Sequence, residues 1–396
     1  MNDPTLTIIH GRLIHRGSEI PDSVVVVRGS TIVYAGKSTG ERPRGGRMID
    51  AGGCCVGPGF IDLHAHGASG ADFLSGDAGD AREIAATHAR YGTTALFATV
   101  RSAPGETMRR AVACLGDMIR SGKAGGIVGI HIEGPFLNPA RAGVHPVEHL
   151  RLPDPDELGA LMAPADGCPM IVTLAPELPG ARGLIEAIAA RGGIPAAGHS
   201  DASYREACEA FGAGVRSVTH LFNAMSGMHH RRPGLAAAAL ANVRVVAELI
   251  ADGMHVHPEM VKMALKLKGR DGIILVTDCM QALDAETHAF RVGGKEVTIR
   301  GGTPVLEDGT LCGSVLTMSG ALRNVRQWTG APPADVAALA TSNPARLAGI
   351  DARKGALAPG MDADIVIFDE KFGVRTTIIG GEVAYAAPGS GLRRGE

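Results

Sequence analysis

Pro58-Gly59-Phe60-Ile61-Asp62-Leu63-His64-Ala65-His66-Gly67 is a short apolar run that ends in two histidines one residue apart. Side chains alternate along a strand, so residues i and i+2 share a face, and two neutral imidazoles placed that way can chelate one divalent cation. A lone His-x-His also fits two solvated histidines. The rest of the chain repeats the placement. Glu133 ends Gly126-Ile127-Val128-Gly129-Ile130-His131-Ile132, His199 ends Ile194-Pro195-Ala196-Ala197-Gly198, His220 ends Ser217-Val218-Thr219, and Asp278 ends Ile273-Ile274-Leu275-Val276-Thr277.

Between these runs apolar residues recur at helical spacing, in Ala81 to Tyr91, Glu106 to Lys123, Pro155 to Met162, Ala181 to Ala190, Tyr204 to Gly212 and Pro258 to Lys268. Strand and helix therefore alternate. Strands beginning near Phe60, Thr93, Ile127, Met170, Ile194, Ser217, Val245 and Ile273 supply the eight needed to close a (β/α)8 TIM-type barrel. The metal-competent residues then fall on strands 1, 3, 5, 6 and 8. Because the C-terminal strand ends of such a barrel form one rim, residues far apart in sequence converge on one cavity.

Bulk properties narrow the function. Lys and Arg total 39 against 41 Asp and Glu, so no basic field attracts nucleic acid. Seven cysteines without Cys-x-x-Cys spacing suit reduced thiols, and Met1-Asn2-Asp3-Pro4 opens no signal peptide; a cytoplasmic protein is expected. The most apolar long stretch, Leu235 to Ile250, is interrupted by Asn242, Arg244 and Glu248 and is too short to span a bilayer. No membrane partner is expected.

The 396 residues exceed the usual size of a single core, so a second, smaller unit is expected beside the barrel. Before the barrel, Leu6 to His10, Arg12 to His15 and Ser23 to Tyr34 read as short strands with turns at Gly11, Gly17 and Arg28-Gly29-Ser30. Ala363 to Asp369 and Arg375 to Ile379 read likewise at the other end. Neither end can bury a core alone, so residues 1-57 and 345-396 are expected to pair into one discontinuous β-sandwich domain around a barrel of residues 58-344. A further set of strands, in the stretch 284-312, reads as an insertion at the rim, either a lid or a structural hairpin.

Several long motifs carry a resemblance. Gly198-His199-Ser200-Asp201-Ala202-Ser203-Tyr204, Thr219-His220-Leu221-Phe222-Asn223-Ala224-Met225-Ser226, Arg231-Arg232-Pro233-Gly234-Leu235 and His131-Ile132-Glu133-Gly134-Pro135-Phe136-Leu137-Asn138-Pro139 resemble the N-acetylglucosamine-6-phosphate deacetylase family of the amidohydrolase superfamily. The likeness runs on to Thr341-Ser342-Asn343-Pro344-Ala345-Arg346 and Gly355-Ala356-Leu357-Ala358-Pro359-Gly360. It implies the barrel with a flanking β-sandwich, Glu133, His199 and His220 as shared metal ligands, and Asp278 as acid/base. His64 and His66 match the form of the family that can hold a second metal, where other members carry Gln and Asn. The strand-4 run Met170 to Glu177 lacks the Lys that bridges two metals in many amidohydrolases, which leaves Glu133 as the natural bridge.

The chemistry needs such a set. An amide is a poor electrophile and water a poor nucleophile, and a divalent cation addresses both by polarising the carbonyl and lowering the pKa of water toward about 7. Asp278 would take a proton from the attacking water and later give it to the sugar nitrogen, since an amine leaves only when protonated. His145 matches a family position that supports the carbonyl oxygen, although a solvated loop histidine is the other reading. One or two ions per subunit are expected; mixed N/O ligands suit Zn, with Fe, Co or Mn as alternatives.

Asn223 and Ala224 directly follow the strand that bears His220, so a side-chain amide and a backbone N–H there can hold an anion, with Arg231 adding a bidentate contact. The resemblance implies that these grip a 6-phosphate, that His255 contacts the sugar, and that Arg231 reaches the active site of a neighbouring subunit in a homodimer. Arg231 and Arg232 also read as a solvated pair at a helix start. Three functions are weighed: hydrolysis of an N-acetyl amino-sugar 6-phosphate with glucosamine ahead of galactosamine, hydrolysis of another N-acyl group such as an N-acyl-D-amino acid, and a non-catalytic scaffold. The intact ligand set disfavours the last.

Overall fold

The computed structural model describes residues 5–15, 17–38, 46–286, 289–390 and 392–393. Met1 to Pro4, on which the reading of the N-terminus rests, and positions 287 and 288 of the expected insertion lie outside them. The described residues of 1–62, 88–95 and 317–396 form one compact unit, and those of 63–87 and 96–316 form another.

The expected barrel is present. Among the described residues eight strands follow one another in chain order in one sheet: β1 (Phe60–Ala65), β2 (Thr93–Arg101), β3 (Ile127–Glu133), β4 (Met170–Leu174), β5 (Ile194–Ala197), β6 (Ser217–Val218), β7 (Val246–Leu249) and β8 (Ile273–Leu275). Every residue of β1, β2 and β4 is buried, which is why these strands read as apolar runs without alternation. Beyond β8 the chain returns to β1: the Asp278 N–H donates to the His64 carbonyl at 2.8 Å, and Ala65 pairs in parallel with Cys279. These bonds bring the first and last strand ends together.

Local signals start the helices that return the chain. Asp154 accepts from the N–H groups of Asp156 and Glu157 ahead of the helix Pro155–Met162, and Ser203 with Glu206 forms a capping box for Tyr204–Ala213. The apolar stretch from Leu235 divides into a short helix, Leu235–Ala241, and β7. Lys268 is buried beneath it, where its Nζ donates to the carbonyls of Ala239, Asn242 and Val245 at 3.0, 2.5 and 2.5 Å. No helix among the described residues is long and apolar enough to cross a membrane. None of the seven cysteines forms a disulfide.

The insertion is a three-stranded antiparallel sheet of Ala289–Val292, Lys295–Arg300 and Thr303–Val305. It has its own apolar core, in which Val292, Val297, Leu306 and Cys312 pack with Met280 and against Val144.

The two chain ends meet in one sheet. Thr5–His15 pairs with Ser18–Arg28 antiparallel and with Arg47–Asp50 and Cys55–Pro58 in parallel, and Cys55–Pro58 pairs antiparallel with Ile365–Phe368 from the far end of the chain. Leu6, Ile8, Val25, Val27, Ile49, Ile365 and Ile378 share its buried core. The turn expected at Gly11 is absent. Thr5–His15 is a single strand whose register shifts on both sides of Gly11, and a Cβ there would lie 2.4 Å from Val56 Cγ2. Glycine serves here for close approach at an irregularity rather than for a reversal.

Candidate active site

Glu133 is the last residue of β3, and His199, His220 and Asp278 lie just past the ends of β5, β6 and β8. The last three share a backbone feature that their spacing does not announce: φ is +48° at His199, +32° at His220 and +48° at Asp278. Non-glycine residues seldom adopt this left-handed region, and where they do the surroundings hold them there. Each strand end thus turns its side chain over the barrel mouth.

The side chains meet around Glu133. Its Oε1 lies 3.2 Å from His199 Nε2, 3.3 Å from His220 Nε2 and 3.5 Å from His64 Nε2. Its Oε2 lies 3.3 Å from His66 Nε2 and 3.2 Å from His145 Nε2. Asp278 Oδ1 faces His64 and His66 at 3.5 and 3.2 Å. All seven residues are buried.

Outer hydrogen bonds fix which ring nitrogen is free. His199 Nδ1 donates to the Arg141 carbonyl at 2.8 Å and His220 Nδ1 to the Asn223 carbonyl at 3.1 Å, because a carbonyl can only accept. The Nε2 atoms of both rings then turn lone pairs inward, and they approach one another to 3.0 Å. Two facing lone pairs repel unless positive charge lies between them. His64 and His66 also bring their Nε2 atoms together, to 3.3 Å.

The electrostatics point the same way. Burial alone would lower the pKa of His64, but the charges of Glu133 and Asp278 outweigh it and raise the pKa well above the ordinary value. Burial alone would raise Glu133 and Asp278, and the surrounding histidines hold both below the usual carboxylate range. The cluster therefore stabilises positive charge at its centre. Buried carboxylates ringed by inward-facing imidazoles fit a divalent cation, and subsets of these residues, His64 with His66 and Asp278 and Glu133 with His145 and His199, lie close enough to act as ligands.

The cluster opens into a cavity of about 350 Å³, lined also by Arg101, Asn223, Ala224, His255 and the returning segment of the insertion at Thr310, Leu311 and Gly313. Asp252 Oδ2 accepts from His255 Nδ1 at 2.6 Å and turns that ring. Arg231 is exposed and does not line this cavity, so the structure separates it from the other residues singled out in the sequence.

Residues 55–384 match the amidohydrolase family. The chain belongs to that family. It is 37% identical over 332 residues to the N-acetylglucosamine-6-phosphate deacetylase of Bacillus subtilis, covering 83% of this chain and 84% of that one. It is 35% identical over 329 residues to the N-acetylgalactosamine-6-phosphate deacetylase of Escherichia coli O157:H7, covering 83% and 87%. Among solved structures, the N-acetyl-D-glucosamine-6-phosphate deacetylase of Mycobacterium smegmatis, a variant in complex with N-acetyl-D-glucosamine-6-phosphate, superposes with a TM-score of 0.89 at 30% identity, covering 98% of this chain and all of that one.

Sequence reasoning passed over three groups at the centre of this amidohydrolase. Glu248, in β7, accepts from His64 Nδ1 at 3.0 Å; its one signal was a carboxylate interrupting an apolar run. Ser102 lies 2.9 Å from His145 Nδ1, one residue past β2. Glu177 accepts from Asn138 Nδ2, the Ser200 hydroxyl and the Asp201 N–H at 2.9, 2.7 and 2.6 Å, bracing the turn that carries His199. His131 is buried and structural: its Nδ1 donates to the Leu63 carbonyl and its Nε2 accepts from the Thr173 hydroxyl.

Proposed function

We propose that this amidohydrolase hydrolyses the acetamide of N-acetylglucosamine 6-phosphate to glucosamine 6-phosphate and acetate, as a step of amino-sugar catabolism in the cytoplasm. The observation that carries the reading is the Glu133-centred cluster opening with Asp278 into one cavity, in a chain whose relatives bear the names of amino-sugar 6-phosphate deacetylases. Glu133, His199 and His220 would hold one divalent ion, and His64 and His66 a second, weaker one that shares Glu133. Zinc suits the mixed N/O donors, with iron, cobalt or manganese as alternatives. When bound, the ion polarises the acetyl carbonyl and makes water acidic enough to attack at neutral pH.

The chain's own residues do the rest. Asp278, kept ionised by its histidine neighbours, accepts a proton from the attacking water and returns it to the sugar nitrogen as the C–N bond breaks. Burial holds the His145 pKa down at about 4, so the ring is neutral; Nδ1 pairs with the Ser102 hydroxyl at 2.9 Å and Nε2 faces Glu133 Oε2 at 3.2 Å, and a proton carried on Nε2 would support the carbonyl oxygen. Asn223 and Ala224 hold the 6-phosphate, joined by Arg231 from the other subunit of a homodimer. His255, braced by Asp252, contacts the sugar.

The test is a deacetylation assay on N-acetylglucosamine 6-phosphate, N-acetylgalactosamine 6-phosphate and both unphosphorylated sugars, paired with elemental analysis of protein purified without added metal. Turnover of the phosphorylated glucosamine derivative by protein carrying a divalent ion is expected. Preference for the galactosamine epimer would move the substrate, and indifference to the phosphate would overturn the reading.

A further inference from the structure

Glu248 is a carboxylate in the middle of Val245-Val246-Ala247-Glu248-Leu249-Ile250, in β7, with no exposed surface. A charge in such a position is costly unless it is paired and hydrogen-bonded. Only one of its oxygens is engaged. Oε2 faces His64 Nδ1 at 3.0 Å and accepts from the backbone N–H of His220 at 3.2 Å, whereas Oε1 is buried without a partner.

His64, His131 and Glu248 lie close enough to suggest a metal site of their own. They do not make one, because His131 engages Nδ1 with the Leu63 carbonyl and Nε2 with the Thr173 hydroxyl and has no lone pair to offer. The remaining role for Glu248 is to receive the Nδ1 proton of His64. That leaves His64 Nε2 directed at Glu133 and Asp278, 3.5 Å from each, and at His66 Nε2, 3.3 Å away. His66 has no such brace, since its Nδ1 is buried without a partner.

We infer that Glu248 is a positioning residue: it fixes the ring and tautomer of His64 so that the His64 and His66 pair can hold the second ion, and with the same oxygen it braces the turn at His220. One carboxylate behind the cavity thus joins the two halves of the cluster. The inference rests on the metal reading above. As His66 is unbraced, the second subsite depends on this contact more than the first, whose ligands His199 and His220 each have a carbonyl partner.

Zinc titration of the metal-depleted full-length protein against a chromophoric chelator reads the two dissociation constants. Glu248→Leu should raise the weaker one by roughly 10- to 100-fold. Glu248→Gln keeps an acceptor oxygen, so it should raise the weaker constant by less and leave the stronger one at the wild-type value, which also reports an intact fold. In the zinc-loaded wild type, nitrogen-edited NMR should find the His64 ring proton on Nδ1. An unchanged weaker constant in Glu248→Gln and, where it folds, in Glu248→Leu overturns the inference. So does a single zinc equivalent in the wild type, or a His64 proton on Nε2. A wild type that takes up no zinc overturns the metal centre of the proposed function itself.

Discussion

Asp278 presents one oxygen to both His64 and His66, and that contact holds the carboxylate in its charged form, as the proposed role of base requires. Asp278→Asn keeps the shape and the hydrogen bonds but cannot accept a proton, so kcat should fall roughly 10²-fold or more. Metal content, measured on the same samples, should stay near the wild-type value; near-normal turnover would shift proton transfer to a histidine. His255 supplies a second residue-level test. Burial alone would lower its pKa, but the hydrogen bond and charge of Asp252 raise it above the ordinary 6.5. Burial alone would raise Asp252, and His255 lowers it. The His255 contribution to stability is therefore fully present below pH 6.5 and lost as pH rises through the raised folded value, while that of Asp252 is present above 3.8 and lost as pH falls through its lowered one. Asp252→Asn leaves only the charge of Asp278 to oppose burial, so the NMR titration midpoint of His255 should fall; an unmoved midpoint would deny the pairing.

Among the elements, the inserted sheet is the one whose role two sequence readings left open. Its strands close over Val292, Val297 and Cys312 with Met280 and Val144, and its return segment lines the cavity at Thr310, Leu311 and Gly313. Val297→Ala removes two buried methyl groups from a small core and should destabilise the insertion by about 1–3 kcal/mol. Proteolysis should then cut within the insertion sooner, and KM should rise more than kcat falls, because cavity lining rather than the proton-transfer groups has loosened. Equal cleavage rates in wild type and variant would mean that this core does not hold the sheet. The barrel itself was legible because eight apolar runs alternate with helical spacing, and the rim was legible because a polar residue ends so many of them. Arg47–Asp50, Cys55–Pro58 and Ser342–Ala348 were missed: each is too short to show a period, and tertiary pairing rather than pattern makes it regular. Glu248 was missed for a different reason. Its partners His64 and His220 are distant in sequence, so its signal exists only after the strands are in register.

At the scale of the whole molecule, Arg231 is exposed and outside its own cavity, which is where a residue serving a neighbouring subunit would stand. A charged phosphate contact contributes about 2–3 kcal/mol, so Arg231→Ala should lower kcat/KM for the phosphorylated sugar roughly 30- to 150-fold and barely change activity on the unphosphorylated one. Mixing Arg231→Ala with Asp278→Asn chains under subunit exchange should restore activity, since one site of the heterodimer would then hold an intact Asp278 and an intact Arg231. Heterodimers that form by mass measurement yet stay as slow as both parents would return Arg231 to its own chain. The left-handed turns at His199, His220 and Asp278 reach further still. Glycine or asparagine would sit in those turns with less strain than histidine does. A lineage that no longer needed the reaction would therefore gain stability by placing such residues at these strand ends.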